Sequence, residues 1–355
     1  TLPHIAVGDH VTGKNEVTGP LRVACLGGGR SEKGFSHLQA IIDETRDDLL
    51  STGRIQFVVQ SKPMRLWRHR PRMAFRTGGQ PISKARFSSL PSNDEVVFCR
   101  HPLPTDAYRR LLTDLDLGLF LYDRESYQNR CSGVLTELLV LGKVVIVPGG
   151  TWLGSQVDLP NYDYLSSLVS QLSLISTARV PITEPNLSVS SKAEIGEHHG
   201  TAGICVPRNA TTASVKLHAV ANGIDPVRLQ TRQLNSAGKT VREQVHLVFG
   251  GESAAPQQLV HLIPGTARLV CDCTFLGRQL RVAGDVKFVF FQQPSSTHRT
   301  PPLGCAGLSF ANHASIPQLL RDVVTHFEHY QQHAQQLARR WRQVHDPLTT
   351  LRLLT

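Results

Sequence analysis

The stretch Leu21-Arg22-Val23-Ala24-Cys25-Leu26-Gly27-Gly28-Gly29-Arg30-Ser31-Glu32-Lys33-Gly34-Phe35 decides the fold. An apolar run of strand length ends in three glycines, and beyond Gly34 the residues Phe35, Leu38, Ile41, Ile42 and Leu49 share one helical face. A strand that feeds a glycine turn and then a helix aims backbone N–H groups and the positive helix end at what lies in front, normally a phosphate. A second turn of this kind is Tyr127-Gln128-Asn129-Arg130-Cys131-Ser132-Gly133-Val134-Leu135-Thr136-Glu137. Two such turns with Arg30, Lys33 and Arg130 predict a diphosphate ligand.

Outward from these turns, residues 21–148 read as a parallel α/β unit. Strands are expected at Leu21–Leu26, Arg54–Gln60, Glu95–Cys99, Leu117–Leu121 and Val144–Val147, with helices at Gly34–Leu50, Thr105–Leu115 and Ser132–Leu141. Strands this apolar are buried on both faces, as in parallel sheets with crossover helices. From Ser155 to Gly200 the pattern decays into Ser, Leu, Pro and Asn, which reads as a connector (156–200) with a helix around Tyr164–Ile175. Residues 201–297 switch to period two, with strands at Ser214–Val220, Val227–Leu234, Thr240–Phe249, Gln258–Ile263, Ala267–Thr274 and Asp285–Phe291, the pattern of a β-sandwich. From 298 the α/β character returns, with a strand at Gly304–Phe310 and a long amphipathic helix from Ile316 through Trp341 to a last turn near Leu354. The predicted fold is therefore α/β: a Rossmann-like doubly wound parallel sheet (21–155 and 298–355) interrupted by an inserted all-β sandwich, after a linker-like start at 1–20.

The chain has 355 residues and a net charge of +10. The excess is concentrated in residues 61–93, where Lys62, Arg65, Arg68, Arg70, Arg72, Arg76, Lys84 and Arg86 occur without an acid. Such a segment meets an anionic donor, an anionic membrane surface or a nucleic acid, or is simply a solvated loop. Nucleic acid ranks third, because no recognised binding fold accompanies it. The seven cysteines have no framework spacing, which fits buried thiols in a reducing cytoplasm. Cys271 and Cys273 would share a strand face, and buried thiols are the favoured reading there too. There is no Gly-x-Ser-x-Gly elbow, and Gly238-Lys239-Thr240 is not a P-loop, since Gln233 stands where its first glycine would be. An NAD site is disfavoured, since the third glycine falls at Gly34 and the second strand ends in Gln60 rather than an acid.

Four segments together resemble the donor-binding half of a GT-B glycosyltransferase of the retaining, glycogen-synthase-like class. They are Pro20–Gly34, Asp116–Tyr122, Ser132-Gly133-x-x-x-Glu137 through Gly142–Val147, and Ala306-Gly307 with the terminal helix. The resemblance implies transfer of a hexosyl or related group from a nucleoside-diphosphate sugar to a glycan or other acceptor. It implies Arg30, Lys33 and Glu137 as the catalytic set, the first two on the diphosphate and Glu137 on the ribose hydroxyls. Gly28, Gly29, Arg130, Ser132, Gly133 and Val134 would complete the nucleotide site, with no metal and no further cofactor expected. A departing nucleoside diphosphate develops negative charge, which fixed cations and N–H dipoles stabilise.

Asn129 stands where the family usually has a glutamate beside the transferred sugar, and Asp123, Glu125 and Arg130 are its nearest substitutes. The family also places an acceptor domain before a strand like Leu21–Leu26, so the expectation is that this half is missing here or lies on another chain. The expected location is cytoplasmic, with peripheral contact at the inner membrane face left open by the basic segment. The rival reading is a non-catalytic interaction protein that displays the sandwich and the basic loop to a glycan, protein or membrane partner. Residues 201–300 contain neither Trp nor Tyr, so an aromatic platform for sugar is not expected there.

Overall fold

The computed structural model describes residues 19–27, 31–61, 95–100, 102–169, 172–183, 197–219, 227–248, 257–276, 284–292 and 302–344. Gly28, Gly29, Arg30, the basic segment from Lys62 onward and the turn expected near Leu354 lie outside these residues. The chain divides into two units, the first comprising Thr1–Ser126, Cys131–Val147 and Ile316–Thr355, the second Tyr127–Arg130 and Pro148–Ser315.

In the first unit, strands β1 (Leu21–Cys25), β2 (Ile55–Ser61), β3 (Val96–Arg100), β4 (Leu117–Leu119) and β5 (Val144–Pro148) lie in the order β5-β4-β1-β2-β3. Each neighbouring pair is parallel, with Val23 registered on Phe57 and on Leu117. β2, β4 and β5 are buried on both faces and β1 is buried except at Arg22, which explains their continuous apolar composition, whereas in β3 only Val97 is buried among the described side chains. Helix α1 (Phe35–Thr45) buries Leu38, Ile41 and Ile42, then loosens into one π turn over Arg46–Leu50. Helix α2 is Thr105–Asp114, α3 is the single turn Arg124–Tyr127, and α4 is Gly133–Val140. Ser132 caps α4, and Gly142, at φ +67°, ends it as a left-handed residue that few side chains tolerate. The amphipathic stretch at the end forms two helices, Ile316–Thr325 and Phe327–Val344, parted at His326, rather than the one expected. Arg321 is tied to Asp48 at 2.6 Å and to the Glu44 carbonyl at 3.0 Å, which holds the first of them against α1.

In the second unit, α5 (Trp152–Val169) leads into two four-stranded antiparallel sheets. Their strands are β6 (Ser173–Pro181), β7 (Glu197–Cys205), β8 (Thr212–Ala219), β9 (Val227–Leu234), β10 (Thr240–Val248), β11 (Gln257–His261), β12 (Arg268–Leu276) and β13 (Gly284–Gln292), in the orders β10-β9-β12-β7 and β11-β8-β13-β6. Val215, Leu217, Phe288 and Phe290 of one sheet share a core with Leu229, Leu269, Cys271 and Cys273 of the other, so the two sheets form a sandwich. A short buried strand, β14 (Gly307–Phe310), follows.

The residues read as a connector differ from expectation: they hold most of α5, the strand β6 and the start of β7. β6 is an edge strand paired only with β13, and residues such as Leu174 and Thr177 are exposed, so no apolar run marked it. Pro160 lies inside α5 and obscured its helical pattern. The expected helix at Tyr164–Ile175 is thus the end of α5 followed by the start of β6.

Candidate functional site

The sheet order places the reversal of strand direction of travel between β1 and β4, the position at which open α/β sheets receive ligands beyond their carboxyl ends. The first predicted turn leaves from β1 there. Gly27, at φ +122°, donates its N–H to Gln60 Oε1 at 3.3 Å. A Cβ on Gly27 would stand 2.2 Å from Lys33 Nζ, so glycine at this position is what leaves room for the ammonium. Lys33 is 7% exposed, and its Nζ lies 5.0 Å from the centre of the Tyr122 ring. The ring face is the negative part of the aromatic quadrupole, which attracts the cation.

The first turn is clamped to the chain leaving β4. The Asp123 N–H donates to the Glu32 carbonyl at 2.9 Å. Gly34, at φ +68°, presses so closely on that segment that a Cβ would lie 1.7 Å from the Leu121 carbonyl oxygen. Tyr122 then carries the connection onward, for its hydroxyl is 3.4 Å from Ser132 Oγ. Ser132 itself accepts from the Leu135 N–H at 3.4 Å as the cap of α4. Lys33 and Ser132, predicted from separate turns, are therefore linked through one buried tyrosine.

The remaining predicted residues fall as follows. Gly133 is exposed, and a Cβ added to it would meet nothing within 4 Å among the described residues. Val134 is half-buried beside it. Glu137, one turn further on, accepts a hydrogen bond from the Tyr108 hydroxyl at 2.5 Å. Burial foremost, then that bond and the carboxylate charge, push the Tyr108 phenol well above its ordinary range, so it remains a neutral donor. Arg130 belongs to the second unit, where its guanidinium lies 5.9 Å from the Tyr127 ring centre. Gly28, Gly29 and Arg30 are among the residues not described.

Sequence reasoning gave no role to Gln60, Tyr108 or Tyr122. Tyr122 ends the quoted segment Asp116–Tyr122, and its position after β4 was the available signal. Tyr108 carried none, because its partner lies in a different helix. In the second unit, Cys271 and Cys273 are both buried with their sulfurs 3.9 Å apart, and their mutual hydrogen bond and burial raise the Cys271 thiol. Among the described residues, no group of three or more His, Cys, Asp or Glu side chains is placed to hold a metal ion. None of the described helices is long and apolar enough to cross a membrane.

No family model and no curated protein matches the chain. Among solved structures it is similar to the enzymatically active domain of tailspike protein 4 of Bacteriophage CBA120, with 14% identity, TM-score 0.21, and 38% of this chain and 21% of that one covered. It is similar to TmCBM61 in complex with beta-1,4-galactotriose, with 15% identity, TM-score 0.18, and 28% and 63% covered. A third likeness is to the Glycosylation Associate Protein (Gap123) complex from Streptococcus agalactiae, with 10% identity, TM-score 0.20, and 43% and 68% covered. The chain thus spans less than two thirds of the first two, and likenesses of this size carry no argument about its activity. What stands is a mixed α/β chain with a parallel sheet and two antiparallel sheets.

Proposed function

We propose that the first unit binds the nucleoside-diphosphate part of a sugar donor, and that the chain serves as the donor half of a GT-B-type glycosyltransferase acting on a glycan or other acceptor. The observation that carries this reading is the link Lys33–Tyr122–Ser132 at the carboxyl ends of β1 and β4. In this reading the ammonium group and the start of α4 both face the diphosphate, where each favours the charge that leaves with it. Glu137 supplies the acceptor a ribose requires. Isothermal titration of UDP, GDP and ADP against the chain and against Lys33→Ala and Ser132→Ala tests it. Binding that is weakened by both substitutions is expected, and failure of the unaltered chain to bind any of the three at millimolar concentration refutes it.

A second reading, a non-catalytic interaction protein displaying the sandwich, is favoured by a separate observation. Lys33 is 7% exposed, and Tyr108 already occupies Glu137, so two groups that would meet the donor are engaged within the protein. Absence of diphosphate binding, with retention of a purified glycan or protein partner by the isolated chain, is the outcome that selects it.

A further inference from the structure

We infer that Tyr108 is a specificity-determining residue: by holding Oε2, one of the two carboxylate oxygens of Glu137, it sets how much a ribose contributes to binding at this site. The inference rests on the nucleotide-donor reading and extends it to a residue that reading does not use. Glu137 lies on α4 and Tyr108 on α2, and the phenol donates to Glu137 Oε2 at 2.5 Å. A phenolic O–H and a sugar O–H make the same kind of charge-assisted bond to a carboxylate. A ribose hydroxyl that takes Oε2 therefore replaces one donor with another and gains little by the exchange. Diphosphate oxygens engage Lys33 and the start of α4, not Glu137, and are indifferent to Tyr108.

The selectivity that follows is unusual for a nucleotide site. In the unaltered protein the affinity resides in the diphosphate, and inorganic pyrophosphate competes nearly as well as a nucleoside diphosphate. Without the phenolic O–H, Oε2 is left to water, which a ribose hydroxyl displaces without stripping a half-buried phenol of its acceptor, and discrimination between the two ligands appears. Burial foremost, and then the bond to Glu137, raise the Tyr108 phenol, so it stays protonated and keeps donating at neutral pH.

The test titrates pyrophosphate, UDP, GDP and ADP against the full chain and against Tyr108→Phe, whose ring preserves the packing on α2. Circular dichroism and thermal unfolding establish that the variant is folded. The expected result is that the tightest nucleoside diphosphate gains about tenfold in the variant, the equivalent of one hydrogen bond's difference, while pyrophosphate is unchanged. In the unaltered chain, the nucleoside diphosphate and pyrophosphate are expected within about tenfold of each other. Equal nucleotide affinity in both proteins overturns the role of Tyr108 and leaves donor binding standing. Weaker nucleotide binding in the variant also overturns it, by showing that Tyr108 holds Glu137 in place for the ribose. Pyrophosphate binding without any gain from a nucleoside in either protein overturns it as well. If neither protein binds any of the four, the donor reading and the role of Tyr108 fall together.

Discussion

The Tyr108 hydroxyl and Glu137 Oε2 are 2.5 Å apart, a bond that ties α2 to α4 across twenty-nine positions of sequence. Its structural contribution can be separated from any ligand. Glu137→Ala leaves the half-buried phenol without its acceptor, which is expected to cost about 1–3 kcal/mol of stability. Glu137→Gln retains an amide oxygen to accept the bond and is expected to cost less than about 1 kcal/mol. Urea unfolding of the two variants is the measurement, and equal losses would show that the bond does not hold the helices.

Gly34 and Gly53 form a matched pair, since both have φ +68° but only Gly34 meets a neighbour. Alanine at Gly53 incurs only the left-handed backbone penalty of about 1–2 kcal/mol, because nothing lies within 4 Å of its Cβ. At Gly34 the same penalty is joined by a Cβ placed 1.7 Å from the Leu121 carbonyl oxygen, which is backbone and cannot rotate aside. Gly34→Ala is therefore expected to be at least about 2 kcal/mol more destabilising than Gly53→Ala. The same unfolding measurement checks it, and similar losses at the two positions would show that the turn does not depend on close contact with β4.

The α/β unit is legible because its strands are continuous apolar runs, most of them buried on both faces; β1 and β5 need only their own composition to be read. The sandwich strand β9 was read to the residue, since Val227, Leu229, Thr231 and Gln233 alternate strictly inward. β6 and β7 were not legible. Edge strands such as these keep half their residues in water, and Ser, Thr and His serve there as well as Val. In the candidate site, Lys33 and Ser132 are marked in the sequence by their glycine turns, and their roles by the resemblance. Tyr122 and Tyr108 act through contacts made only once the sheet has assembled, and no spacing within one element encodes a phenol that meets a carboxylate on another helix.

Gln233 is a polar residue at an inward position of β9, 1% exposed, and both its amide nitrogen and its amide oxygen are hydrogen-bonded. Its Nε2 donates to the His261 carbonyl at 2.7 Å, while Oε1 accepts from the Ile263 N–H at 2.8 Å and the Thr266 hydroxyl at 2.9 Å. The side chain thereby holds the end of β11 and the turn that follows it. Gln233→Leu fills the volume but strands those backbone groups, and a loss of about 2–4 kcal/mol is expected. Hydrogen exchange at the Ile263 amide gives an independent readout: exchange no faster than in the unaltered chain would show that Gln233 is not what protects it.

His261 gives the second unit a pH dependence whose sign can be worked out. Burial, and next the positive charge of Arg242, push its imidazole down from 6.5 to about 4. In the folded chain the ring is thus neutral over a range in which the unfolded chain binds a proton. Stability then rises with pH wherever the unfolded state holds more protons. It is expected to be complete above about pH 6.5, to fall as acid is added, and to level off below about 4, with a total change on the order of 3 kcal/mol from this one residue. His261→Gln removes the titrating group but keeps the backbone carbonyl that Gln233 uses. Unfolding curves at pH 7 and at about pH 4.5 should therefore converge in the variant relative to the unaltered chain. An undiminished acid loss in His261→Gln would place the responsible proton elsewhere.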